Sequence, residues 1–305
     1  MRPHQWVKNL LVFAPLVFTH EAGVRDALVL AMLAFVAFCL ASSSVYLLND
    51  IVDREADRKH PKKMHRPIAA GRLSVGIAVA AVVALLVVAG GIGWHLAVTP
   101  DLHAGNGSAT GAATGAERRL GNLQFWSWLA AYLTLNLAYS FRLKQIVIVD
   151  ALCIAMGFQF RVLAGAAAIA TPASSWILLC TFFFALFLAF CKRREEVVKH
   201  GDAGTRHSLR DYDAHFLDQM INPLAAMSIL AYSLYTVDER TVRYHGTAGL
   251  AMTVPFVVFG VFRYLYLVHR RGQGDDPARL LFTDKQLVLS GLLWGASVAF
   301  ALTRH

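Results

Sequence analysis

Charge is what this chain lacks most. Asp, Glu, Lys and Arg make up 16% of its 305 residues, against roughly 25% in soluble domains. Hydrophobic residues make up 56%. A soluble globular protein is therefore excluded and an integral membrane protein is expected. Cysteine is also scarce. Cys39, Cys153, Cys180 and Cys191 lie in or beside apolar stretches and form no C-x-x-C pair, which argues against a zinc site or disulfide framework and leaves them as small buried hydrophobes. No P-loop, G-x-G-x-x-G fingerprint or heptad pattern is present, so an ATP-driven machine has no support. H-E-x-x-H and G-x-S-x-G are missing too, which removes a zinc protease and a serine hydrolase. The basic excess, 29 Lys and Arg against 20 Asp and Glu, lies mostly between apolar stretches, where it reports membrane topology rather than nucleic-acid binding.

What is present is a succession of apolar stretches near residues 10–18, 26–49, 73–98, 123–141, 146–170, 174–191, 220–237, 247–268 and 287–302. They predict one all-α integral membrane domain over residues 1–305, a bundle of about nine transmembrane helices. The first stretch is short for a span and is broken by Pro15, so it is tilted, extended or interfacial. It is expected to be retained, because Phe18-Thr19-His20-Glu21 is no cleavage site. Residues 99–121, rich in Gly, Ala, Ser and Thr, predict a flexible loop. With a cytoplasmic N-terminus, strict alternation places about 21 of the 29 lysines and arginines inside. Small residues such as Gly90, Gly91 and Gly93 suit close helix packing and leave a homo-oligomer open.

Chemistry concentrates where the second stretch ends. On a helix, Asp50, Asp53 and Asp57 fall within about 60° of one another, with Asn49 beside them and Glu55 on the far side. Such an oxygen-rich face repels itself unless a cation sits in it, and hard oxygen ligands suit Mg²⁺. The basic run Arg58, Lys59, Lys62, Lys63, Arg66 and Arg72 follows, which points to a diphosphate-type ligand. The competing reading is a solvated helix end whose acids pair with these bases. A second polar cluster, Lys192-Arg193-Arg194-Glu195-Glu196, leaves the sixth stretch on the same predicted side and either anchors topology or holds phosphate. Tyr139, Ser140 and Lys144 offer hydroxyls and a cation at another inner link. Arg161 lies deep in the fifth stretch, where a charge is costly and usually lines a polar cavity; Arg263 is placed to snorkel.

Asn49-Asp50-x-x-Asp53-x-x-x-Asp57, followed by Arg66-Pro67-Ile68-Ala69-Ala70-Gly71 and Tyr139-Ser140, resembles the UbiA-type prenyltransferase superfamily over almost the whole chain. The resemblance implies that Asn49, Asp50, Asp53 and Asp57 hold Mg²⁺ on a diphosphate, with the three aspartates as catalytic residues. The chain departs from the second aspartate-rich motif of the aromatic prenyltransferases, having Lys192-Arg193-Arg194-Glu195 instead. With the opening Arg2-Pro3-His4-Gln5-Trp6-Val7-Lys8-Asn9, this is similar to the decaprenyl-phosphate phosphoribosyltransferase branch. That branch implies transfer of 5-phosphoribose from phosphoribosyl pyrophosphate (PRPP) to a polyprenyl phosphate, giving a precursor of cell-wall arabinose donors at the cytoplasmic face of the inner membrane. Lys8, Lys62, Arg66, Lys192, Arg193 and Arg194 are then candidates to hold the substrates' phosphates. The alternatives are a UbiA-type aromatic prenyltransferase and, more remotely, a cation transporter.

Overall fold

A computed structural model describes residues 3–18, 24–59, 64–98, 115–200 and 211–303. Every element among them is helical. A 3₁₀ helix, Pro3–Phe18, opens the chain. The α-helices follow as α1 Val24–Val52, α2 Arg54–Arg58, α3 Val75–Val98, α4 Gly115–Phe141, α5 Val149–Ala168, α6 Ser175–His200, α7 Ala214–Val237, α8 Glu239–His245, α9 Val254–Arg271, α10 Pro277–Thr283 and α11 Lys285–Thr303. Seven of the described helices are long and apolar enough to cross a membrane, in α1, α3, α5, α6, α7, α9 and α11. Two of the roughly nine expected segments fall short of that length-and-hydropathy mark without altering the all-helical bundle: the opening stretch, a 3₁₀ helix of 16 residues, and α4, which carries Gln124 and Asn136 among its apolar residues. The expected loop at 99–121 also shortens. Residues 99–114 lie outside the described residues, and α4 already begins at Gly115.

The described chain forms two compact units. The first holds residues 1–141 and 157–174. In it α1 packs along α3, the opening 3₁₀ helix and α4. The buried face of α1 reads Ala27, Ala31, Ala34, Phe38 and Ala41, spaced by three or four residues, so one stripe of small side chains meets its neighbours. Phe38 lies 5.2 Å from the Tyr132 ring and 6.3 Å edge-on from Phe125 of α4, between centroids. At Gly165 of α5 a Cβ would run into the Val12 carbonyl, so glycine lets the opening helix lie directly on α5. The opposite side of α3 exposes Ile77, Val79, Val83, Val87 and Trp94, as a lipid-facing surface does.

The second unit holds residues 142–156 and 175–305. There α6 packs along α7, α7 meets α9, and α9 and α10 meet α11. Phe187 and Tyr264, with ring centroids 5.5 Å apart, sit in its core with Leu217, Ile221 and Leu267. Asp213, Asp238 and Asp276 cap α7, α8 and α10 by accepting from backbone N–H groups in their first turns.

Candidate functional site

The acidic face belongs to the first unit. α1 carries Asn49 and Asp50 and stops at Val52, and α2 resumes at Arg54, so Asp53 stands at the break. The helical hydrogen-bond pattern nevertheless bridges it: Asp53 N–H donates to the Asn49 carbonyl and Asp57 N–H to the Asp53 carbonyl, both at 2.8 Å. Helical structure thus carries past Val52 to Arg58, with a joint at Asp53. Asp50 and Asp57 share one face, because Arg66 Nη1 donates to Asp50 Oδ1 at 3.1 Å and to Asp57 Oδ2 at 2.6 Å. Asp57 is 3% exposed. Glu55 lies elsewhere, its side chain 72% exposed and paired with Arg58 at 3.0 Å.

Arg66 is held in place by the turn that it begins. Ala70 N–H donates to the Arg66 carbonyl at 2.8 Å, Gly71 N–H to Ile68 at 3.2 Å and Leu73 N–H to Pro67 at 3.0 Å. Gly71 has φ +72°, a conformation that strains any residue with a Cβ. Arg58 Nε donates to the Ala69 carbonyl at 3.1 Å and ties the turn to α2. The Arg-Pro-Ile-Ala-Ala-Gly segment is therefore a folded bracket that delivers a guanidinium to two carboxylates.

The donor set fits Mg²⁺. Asn49, Asp50, Asp53 and Asp57 offer oxygens alone, as a hard cation prefers, and Asn49 Oδ1 is buried with no hydrogen-bond partner among the described residues. No three His, Cys, Asp or Glu side chains among those residues already form a metal cage; between Asp50 and Asp57 stands Arg66.

Arg161 lies in the same unit and is 6% exposed. Its partners are neutral: Nε donates to Asn9 Oδ1 at 2.7 Å, Nη1 to the Gly157 carbonyl at 2.6 Å and Nη2 to Tyr132 Oη at 3.1 Å. Its guanidinium carbon lies 4.7 Å from the Tyr132 ring centroid. Asn9, fully buried, donates in turn to Ser42 Oγ at 3.2 Å and Cys39 Sγ at 3.3 Å on α1. Along α1, Ser42 precedes Asp50 by about 12 Å. Asn9 and Tyr132 were not singled out in the sequence, although an amide beside an apolar stretch was a usable signal.

The second basic cluster is built differently. Arg193 is 1% exposed, its Nε donating to Asp150 Oδ2 and its Nη1 to Glu196 Oε2, both at 2.5 Å. Tyr212 Oη donates to Asp150 Oδ1 at 2.8 Å and accepts the Ile148 N–H at 2.6 Å. Burial raises the Tyr212 phenol well above its ordinary pKa, which keeps it a donor. Ile148, a β-branched residue, is held at φ +69°. Arg194 meets Asp218 at 2.5 Å, and Asp218 also meets His269 Nε2 at 3.0 Å. Lys192 is looser, 3.8 Å from Glu196. Arg193, expected as a phosphate-binding candidate, is thus buried and closed on two carboxylates. Arg263 is likewise paired, with Asp284 at 2.8 Å, instead of reaching out alone.

Ser140 is buried and its hydroxyl donates to the Asn136 carbonyl at 2.6 Å within α4. Tyr139 lies in the last turn of the same helix, Lys144 sits in the 3₁₀ turn Leu143–Gln145, and Lys8 lies beside Asn9 in sequence; all three are half-buried. Lys62 lies outside the described residues.

The profile of the UbiA prenyltransferase family matches residues 10–285. The decaprenyl-phosphate phosphoribosyltransferase of Corynebacterium glutamicum is 33% identical, covering 99% of this chain and 85% of that protein. Its Mycobacterium tuberculosis counterpart is also 33% identical, covering 98% and 93%. Among solved structures, a UbiA homologue from Archaeoglobus fulgidus bound to GPP and Mg²⁺ aligns over 99% of this chain and 96% of its own with a TM-score of 0.68, at 17% identity, a likeness of fold.

Proposed function

The chain belongs to the UbiA prenyltransferase family, and from that premise we propose that it moves the 5-phosphoribosyl group of PRPP onto a polyprenyl phosphate and releases diphosphate. The observation that carries this reading is the likeness, over nearly the whole length of this chain, to proteins named for that reaction. The family match runs through residues of both compact units, in keeping with a single transferase domain. The basic exit of α6 agrees: where an aspartate-rich motif would serve a second metal, this chain presents Lys192 and Arg194. The reaction takes place at the cytoplasmic face of the inner membrane, the side that the distribution of lysine and arginine favours.

In the reaction, the bond from the anomeric carbon to the diphosphate oxygen breaks and a bond from that carbon to an oxygen of the lipid phosphate forms. Asn49, Asp50, Asp53 and Asp57 would hold Mg²⁺, which, when bound, neutralises charge on the departing diphosphate. Arg66, on its bracket, adds a fork of N–H donors matched to phosphate oxygens. Arg161 fixes Asn9, and with it the backbone carrying Lys8, a cation for phosphate. Lys192 and Arg194 are further candidates for that role. The lipid phosphate is anionic near neutral pH, so no side chain has to act as a base.

The test is a pair of assays on purified protein in detergent with Mg²⁺. PRPP with decaprenyl phosphate is expected to yield decaprenyl-phosphoryl-5-phosphoribose. Prenyl diphosphate with 4-hydroxybenzoate is expected to yield nothing, and product from that mixture alone would make the protein an aromatic prenyltransferase.

A further inference from the structure

Arg66 makes both of its carboxylate contacts through one nitrogen, Nη1. Arginine has five N–H groups, and the three on Nε and Nη2 have no partner among the described residues. That edge is one on which a guanidinium grips two phosphate oxygens at once. The side chain is 27% exposed, so an incoming anion can reach it. On the residue before Asp50, Asn49 Oδ1 is buried without a donor among the described residues. Arg66 thus balances the charge of Asp50 and Asp57 but leaves one oxygen of the face unsatisfied and its own bidentate edge unspent.

We infer that Arg66 is a stand-in for the metal, which it excludes from Asp50 and Asp57 until a diphosphate arrives to take the guanidinium away. The inference rests on reading the acidic face as the metal and diphosphate site. A divalent cation and a guanidinium between the same two carboxylates repel each other. Metal entering alone must therefore drive Arg66 off two carboxylates and leave it with no counter-charge. Metal entering with a diphosphate gives Arg66 a new anion, so the two ligands favour each other, and by linkage each raises the other's affinity equally. The bracket from Arg66 to Leu73 is pinned through its backbone, so the exchange is a rotation of the Arg66 side chain and not a loop movement.

The test uses Mn²⁺ as an EPR-visible probe, titrated into purified protein with and without inorganic diphosphate. Arg66→Gln is expected to bind Mn²⁺ alone about tenfold more tightly than wild type, and the enhancement of Mn²⁺ affinity by diphosphate is expected to shrink by a similar factor. Arg66→Lys, a milder change should the Gln variant fail to fold, is expected to shift the same way by less. Unchanged or weaker Mn²⁺ binding in the folded variants overturns the inference while leaving the metal site intact. Asp50→Asn separates the two: if Mn²⁺ binding does not fall in that variant, or if no protein binds Mn²⁺, the reading of the acidic face fails as well.

Discussion

Arg161 in the first unit and Arg193 in the second are both buried on membrane-crossing helices, 6% and 1% exposed, but their counter-charges differ. Arg193 is closed on Asp150 and Glu196, and its neighbour Arg194 on Asp218. Arg161 is held by an amide, a carbonyl and a phenol, and Arg66, in the same unit, spreads one nitrogen over two acids while the Asn49 amide oxygen has no partner among the described residues. The second unit uses its charges to hold itself together. In the first, Arg161 has no carboxylate partner and Asn49 Oδ1 no donor among the described residues, although the second unit too keeps buried oxygens without a hydrogen bond, on Glu195 and Tyr264. A basic run is thus informative about phosphate only once its own acids are known.

The strongest way to break this contrast is Arg193→Met. It strands Asp150, which has no exposed surface, and is expected to cost about 3–5 kcal/mol of stability, read as a lower Tm in detergent, with Asp150→Leu added in the double variant restoring most of it. A raised KM for PRPP with an unchanged Tm would instead return Arg193 to substrate binding. Arg161→Met strands no carboxylate, so the expected loss is smaller, about 1–3 kcal/mol, chiefly from Asn9 Oδ1 and Tyr132 Oη losing the donor that Arg161 supplies. A loss as large as that of Arg193→Met would erase the distinction.

Ile148→Gly sharpens the picture of the second unit. Ile148 is 41% exposed and held at φ +69°, so glycine relieves backbone strain with little lost packing and is expected to add about 1 kcal/mol. The smallest effect is one of pH. Hydrogen bonding to Arg263 holds the Asp284 carboxyl below its ordinary value of 3.8. The folded state therefore binds this proton less readily than the unfolded state, and the pair stabilises at neutral pH. That contribution fades as pH falls below about 4 and through the folded value. Asp284→Asn is expected to flatten that part of a Tm–pH curve.

Much of this was legible in the sequence, for stated reasons. Apolar length located the spans from α1 to α11 because a bilayer demands it. Helical spacing placed Asp50 and Asp57 on one face and Glu55 on another. The break at Asp53 was not visible, since Asp-Arg-Glu-Ala reads as continuous helix. The partners of Arg161 and Arg193 were hidden for a different reason: Asn9 and Arg161 are 152 residues apart, and Asp150 and Arg193 are 43 apart, so no periodicity joins them. The sequence displays a lysine–arginine run but not the buried acids that neutralise it.

The central claim is that the acidic face of the first unit holds the donor's diphosphate. Mg²⁺-dependent binding of radiolabelled PRPP tests it most directly, in wild type, Asp53→Asn and the Asp150→Leu/Arg193→Met double variant. The account predicts that Asp53→Asn abolishes binding with little change in Tm, while the double variant still binds. Full binding by a folded Asp53→Asn, with binding lost in a folded double variant, would contradict it.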